Sequence, residues 1–240
     1  MGITVGSAAA PTPRPGEGDF DRPSRRSRKT RAALIDAARA LLEDEGVAGL
    51  TVRAVTDRAD VAHGTFYHHF ASTEAVLAAG IEESMREFSA EMEVGFAQAD
   101  DKSWVLVASL ARTFRMLCAH PALPWMLERP QVLAQALRRA CGPFAVRDVQ
   151  AMIAAGDVAP SALENGMSFL EWALVGALVE VAQSPKQAPE LERRLVALAL
   201  RVLALPERRI TSLLGRLGEV PAIRRTRPAH AQGGSNGRGA

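Results

Sequence analysis

One stretch, Thr51 to Glu74 (TVRAVTDRADVAHGTFYHHFASTE), restricts the fold more than any other part of the chain. Val52, Val55 and Ala59 recur at helical spacing, with Thr51 placed to cap that helix by accepting an early N–H. Asp60 and Val61 form a tight turn. A second short helical pattern follows from about His63 to His69, with Phe66 and Phe70 on its inner side. Two short helices at a steep angle leave a narrow outer face. Here that face holds Arg53, His63, Thr65, Tyr67, His68 and His69.

The segments around this stretch also read as helix, so the fold class is all-α. Upstream, Leu34, Ile35, Ala37, Ala38, Leu41 and Leu42 give a helix over Lys29–Glu45, with Gly46 as a left-handed stop. Downstream, Ser72 is placed to cap a long helix over Thr73–Phe96. No segment alternates with period two for long enough to make a convincing strand, and no internal repeat is found.

The chemistry of the outer face suits duplex DNA. Arginine can fork onto guanine, and threonine offers a hydroxyl and a methyl to base edges. Tyrosine can donate to phosphate without carrying charge, which fixes register. Three of the five histidines, His63, His68 and His69, lie within seven positions, and histidine gains positive charge in mild acid.

Charge is unevenly spread. The net charge of +2 hides basic ends: residues 1–31 hold seven Lys or Arg against three acids, and residues 208–240 hold seven against one. The middle is therefore acidic, and such basic flanks suggest ends that seek a polyanion. Arg22, Arg25, Arg26, Arg28, Lys29 and Arg31 lead directly into the motif. Prolines in the first 24 residues and a Gly-rich polar end from 218 onward read as disordered. Four units are expected: a basic arm over 1–24, a DNA-binding head over 25–71, a helical body over 72–217 and a basic tail over 218–240.

Several classes are disfavoured. No uncharged apolar run is long enough for a membrane span, and the N-terminus does not read as a secretory signal. Cys118 and Cys141 lie far apart with no metal-ligand spacing, so a reduced, cytoplasmic protein without metal or cofactor is expected. No nucleophile elbow, phosphate-binding loop or HExxH pattern points to an enzyme.

Three segments, LIDAARALLEDEG at 34–46, GLTVRAVTDRADVA at 49–62 and GTFYHHFASTEAV at 64–76, resemble the DNA-binding head of the TetR family of transcriptional regulators. By that resemblance Arg53 and His63 read base edges, with Gly64 and Thr65 at the groove floor. Thr51, Tyr67 and His69 match phosphate contacts, and His68 takes a slot usually aromatic or basic. Arg25, Arg26, Arg28 and Lys29 form a DNA-seeking arm. Three positions depart from the pattern. Asp60 stands for the turn glycine, Ala62 for a small polar cap (a role Asp60 can take) and Thr73 for a common phosphate-gripping lysine.

The same resemblance implies that the rest of the chain senses a small effector and dimerises, most often as a repressor on a near-palindromic operator. Trp104, Phe114 and Leu117 lie on a helical stripe, Trp125 follows a break at Pro121 and Pro124, and Phe144 and Met152 follow another at Gly142-Pro143. Broken helices with bulky side chains suit an apolar cavity, and these six are its candidate lining. The segments 165–183 and 189–205 are apolar on more than one side, so Trp172, Gly176, Ala177 and Leu198 are the candidate homodimer contacts, across a four-helix bundle. The alternative is a helical scaffold or partner-binding protein that uses its basic ends without reading DNA sequence.

Overall fold

A computed structural model describes residues 24–96 and 98–221, with the side chains at 164 and 165 excluded. Among the described residues there is no strand. The chain opens with α1 (Arg25–Glu45), α2 (Val52–Ala59) and α3 (His63–Tyr67), which make the head. The body follows as α4 (Thr73–Phe96), α5 (Lys102–Cys118), α6 (Leu123–Leu127), α7 (Pro130–Ala140), α8 (Gly142–Ala154), α9 (Ser161–Gln183), α10 (Ala188–Val202) and α11 (Glu207–Gly215). No described helix is long and apolar enough to cross a membrane, and no described cluster of His, Cys, Asp or Glu fits a metal.

The helix starts are written in the sequence. Ser24, Thr51, Ser72 and Asp101 each accept a hydrogen bond from the backbone N–H three residues on, relieving unpaired donors of the first turn. Gly46 ends α1 with φ 71° and ψ −173°. That is not the left-handed stop expected of it, but a region essentially reserved for glycine. The α2–α3 turn does use the left-handed region, at Asp60 (φ 53°, ψ 50°). Asp60 does not cap α3: the capping position is Ala62, and no side chain supplies a hydrogen bond there.

Head and body share one apolar core. Leu34, Ile35 and Leu41 of α1, Val55 of α2 and Phe66 of α3 join Val76, Leu77 and Ile81 of α4, and the cluster continues through α5, α6, α7, α9 and α10. Close approach of α1 to α4 depends on Gly80, where a Cβ would lie 3.1 Å from Arg39 Cγ. Beside it Arg39 forks onto Glu87 at 2.9 and 2.6 Å, tying head to body. A second apolar cluster fills the far end of the body between α5, α8, α10 and α11.

Arg25, Arg26, Arg28 and Lys29 are exposed on the opening turns of α1, which starts four residues before the expected Lys29. Residues 1–23, including Arg22, lie outside the described residues. Within the segment expected as tail from 218, Val220 is buried, and its carbonyl accepts from Arg115 Nη1 at 3.1 Å. Residues 222–240 lie outside the described residues.

Candidate functional site

The head presents a face built on two buried anchors. Val55 and Phe66 are wholly buried, which fixes the rotation of α2 and α3. Arg53, two positions before Val55, and Tyr67, next to Phe66, are thereby turned outward. Arg53 has 88% of its side chain exposed and only a loose 3.6 Å contact with Asp57. Tyr67 is 57% exposed, its ring edge-on to Phe66 at 5.5 Å and tilted against His63 at 5.6 Å. Thr51, His63, Gly64 and His68 are exposed, while Thr65 and His69 are half-buried. Of the eight residues singled out by the sequence, six are exposed on α2, α3 and their flanks, and Thr65 and His69 are half-buried.

Gly64 is informative because none of the described residues requires a glycine there. A Cβ there would meet no atom within 4 Å, and its φ is not in the left-handed region. Thr51 Oγ1 is engaged by the N–H of Ala54 at 3.1 Å, leaving its proton available to a partner.

A second feature lies in the body: a cavity of about 790 Å³ bounded by α4, α5, α7, α8 and α9. Its walls are largely apolar. Of the six side chains expected to line it, only Phe144 does so. Trp104, Leu117, Trp125 and Met152 are packed in the core instead, because their helix faces point between helices and away from the void. Phe114 is also buried, and borders a separate cleft beside Arg115 and Glu192.

Both arginines of the cavity are charge-paired, while Lys102 donates to the Ala99 carbonyl at 2.7 Å. Arg138 of α7 forks onto Glu171 of α9 at 3.0 and 2.7 Å. Arg147 of α8 binds Asp148 Oδ1 through Nε at 3.3 Å and Nη2 at 2.9 Å, and its Nη1 pairs with Glu93 of α4. Burial pushes the Asp148 carboxyl above its ordinary range, and Arg147 only partly offsets this. Cys141 accepts from Ser89 Oγ at 3.5 Å, and burial raises its thiol pKa, so it is a poor nucleophile. Sequence reading missed Glu93, Asp148 and Arg147. In a linear pattern they look like an ordinary solvated face; the fold buries Asp148 and leaves Glu93 and Arg147 partly exposed at the cavity's edge.

Of the candidate dimer residues, Trp172 and Leu198 are each about half exposed and Gly176 is exposed. Ala177 is buried in its own subunit. Phe169 and Val179 extend the apolar stripe of α9 on the same side as Trp172 and Gly176.

Residues 34–79 match the sequence profile of the bacterial regulatory proteins, tetR family. No curated protein matches the chain. Among solved structures, RolR in complex with resorcinol is similar with a TM-score of 0.71 and 22% identity, over 80% of this chain and 96% of that one. A TetR-family transcriptional regulator from Pectobacterium atrosepticum gives 0.53 and 23%, over 75% and 97%. SmeT, the repressor of the Stenotrophomonas maltophilia multidrug efflux pump SmeDEF, gives 0.50 and 22%, over 72% and 91%. At these identities the likeness is one of fold.

Proposed function

From the premise that residues 34–79 form a TetR-type head on a TetR-like helical fold, we propose that this chain is an effector-controlled, DNA-binding transcriptional regulator. The carrying observation is the exposed edge of α2 and α3, where Arg53, His63, Gly64 and Tyr67 stand over the fully buried Val55 and Phe66. Arg53 and His63 read base edges. Thr51, Tyr67 and His69 hold phosphates, and the cations on the opening turns of α1 add sequence-independent attraction. Gly64 lets the DNA backbone approach closely, which accounts for a glycine the fold itself does not need.

The chain acts as a C₂ homodimer through the apolar stripe Phe169, Trp172, Gly176 and Val179, together with Leu198 of α10. Two heads then meet successive major-groove faces of a near-palindromic operator. Its action is repression, relieved by a small, largely apolar effector in the cavity.

Coupling runs through α4. Ser89, Met92 and Glu93 near its end border the cavity, while Val76, Leu77 and Glu87 contact the head or the core it shares. A ligand that displaces the end of α4 therefore re-aims the head. Switching occupancy from about 99% to about 1% requires a preference of ~10⁴-fold between the two states.

Titrating the full chain onto duplex DNA at rising salt tests the DNA-binding half of this reading. A steep fall in log affinity with log salt is expected, and absence of binding or of any slope would overturn it.

A further inference from the structure

The cavity carries a chemical bias that the fold does not require. Asp148 is 7% exposed, and its carboxylate is only half satisfied. Both hydrogen bonds from Arg147 end on Oδ1, and Oδ2 receives none from the described residues. That oxygen is not sealed from solvent, so it stands free to accept a hydrogen bond from a ligand that enters the cavity. The other charges of the lining leave little room for a charged ligand. Three cations, Lys102, Arg138 and Arg147, face three anions, Glu93, Asp148 and Glu171. Both arginines already bind carboxylates. An added anion would meet three carboxylates and, among the described residues, one lining cation outside an ion pair, Lys102, whose ammonium already donates to the Ala99 carbonyl at 2.7 Å; an added cation would meet paired guanidiniums. Around this polar corner Met92, Val105, Leu106, Leu110, Leu170 and Leu174 supply apolar wall.

We propose that the effector is an uncharged, mainly apolar molecule bearing a hydroxyl, and that this hydroxyl donates its proton in a hydrogen bond to Asp148 Oδ2. The proposal rests on the cavity being the effector site. Arg147 bridges Asp148 of α8 to Glu93 of α4, so a ligand on Asp148 sits one ion pair away from the helix that carries the head. Asp148 thus selects the ligand and passes its presence to α4.

Four probes of one shape test it by equilibrium dialysis against the full chain: 2-naphthol, 2-methoxynaphthalene, 2-naphthoate and the naphthalen-2-ylmethylammonium cation. The wild type is expected to bind 2-naphthol at least about 10-fold more tightly than the other three. Asp148→Asn is expected to weaken 2-naphthol by about 10- to 100-fold and to leave the methyl ether unchanged. The wild-type preference is informative even if that variant folds poorly. Equal binding of naphthol and its ether, tightest binding of either ion, or an equal loss of naphthol and ether in Asp148→Asn would overturn the anchoring role of Asp148.

Leu110→Trp, which fills the cavity, separates this failure from failure of the site. If it abolishes binding of every bound probe while naphthol and ether bind alike, only the Asp148 assignment falls. If it changes no probe's binding, or if no probe binds the wild type, the cavity reading falls and the proposal with it.

Discussion

Gly64 separates what the fold needs from what a partner needs. Open space surrounds its missing Cβ, and alanine is the better helix former. Gly64→Ala should therefore leave thermal stability unchanged or raise it by up to ~1 kcal/mol, while DNA affinity falls; chemical unfolding and fluorescence anisotropy measure the two sides. Arg53 makes a complementary case, being exposed and only loosely paired. Arg53→Ala should cost roughly 1–3 kcal/mol of binding to the preferred duplex and relax preference at one base pair. An equal loss on all sequences would place Arg53 on phosphate. Arg53 was legible before any coordinates because helical spacing separates it from Val55, as it separates Tyr67 from Phe66; Gly64 was singled out only by the resemblance to the TetR head. The acidic and basic lining of the cavity was not legible. Glu93, Arg147 and Asp148 carry no local sign that they border a cavity, since the same spacing occurs on solvated helices.

At the level of elements, the turn between α2 and α3 sets the angle of the recognition helix. Asp60 holds φ at 53°, a conformation that aspartate tolerates better than residues with a bulkier or purely apolar Cβ. Asp60→Ala should destabilise the chain by about 1 kcal/mol, and Asp60→Asn should be nearly neutral, as read by denaturant midpoints. The turn between α5 and α6 adds a pH dependence. His120 Nδ1 accepts the N–H of Ala122 at 3.1 Å, and burial, with Arg39 nearby, lowers its pKa to about 4. The folded chain thus holds this imidazole neutral. Its contribution is complete above the unfolded value of 6.5 and is lost as pH falls towards about 4. Relative to His120→Asn, the wild type should lose on the order of 2–3 kcal/mol of stability across that window. A constant difference between the two proteins would contradict it. The helix breaks around Pro121, Pro124 and Gly142-Pro143 were visible in the sequence because proline and glycine act locally. The buried Val220 was not, since what orders it is packing: Ile210, Leu213 and Val220 fill one end of the second core.

Across the whole molecule, α4 joins two tasks in one rigid element. Its start is capped by Ser72 directly after the head, and its end borders the cavity. Bulky aromatics suggested a void, but most of them proved to be the packing around it; volume and chirality of packing decide where space remains. The exposed stripe of α9 and α10 has a similar status: the pattern marked a helix with too many apolar sides, and the fold shows which side is left uncovered. If that side joins two copies, Trp172→Glu with Leu198→Glu should give monomers by analytical ultracentrifugation and weaken operator binding, with the helical circular dichroism of the chain retained. An unchanged sedimentation coefficient would move the dimer contact elsewhere.

The central claim is that the outer edge of α2 and α3 reads base sequence. It is tested most directly by recovering the genomic fragments that the intact chain retains and measuring its affinity for the recovered duplex and for a shuffled one at the same salt. The account predicts a preference of at least about 10³-fold that shrinks markedly in Arg53→Ala. Equal affinity for the two duplexes, or a preference untouched by Arg53→Ala together with Gly64→Ala, would contradict it.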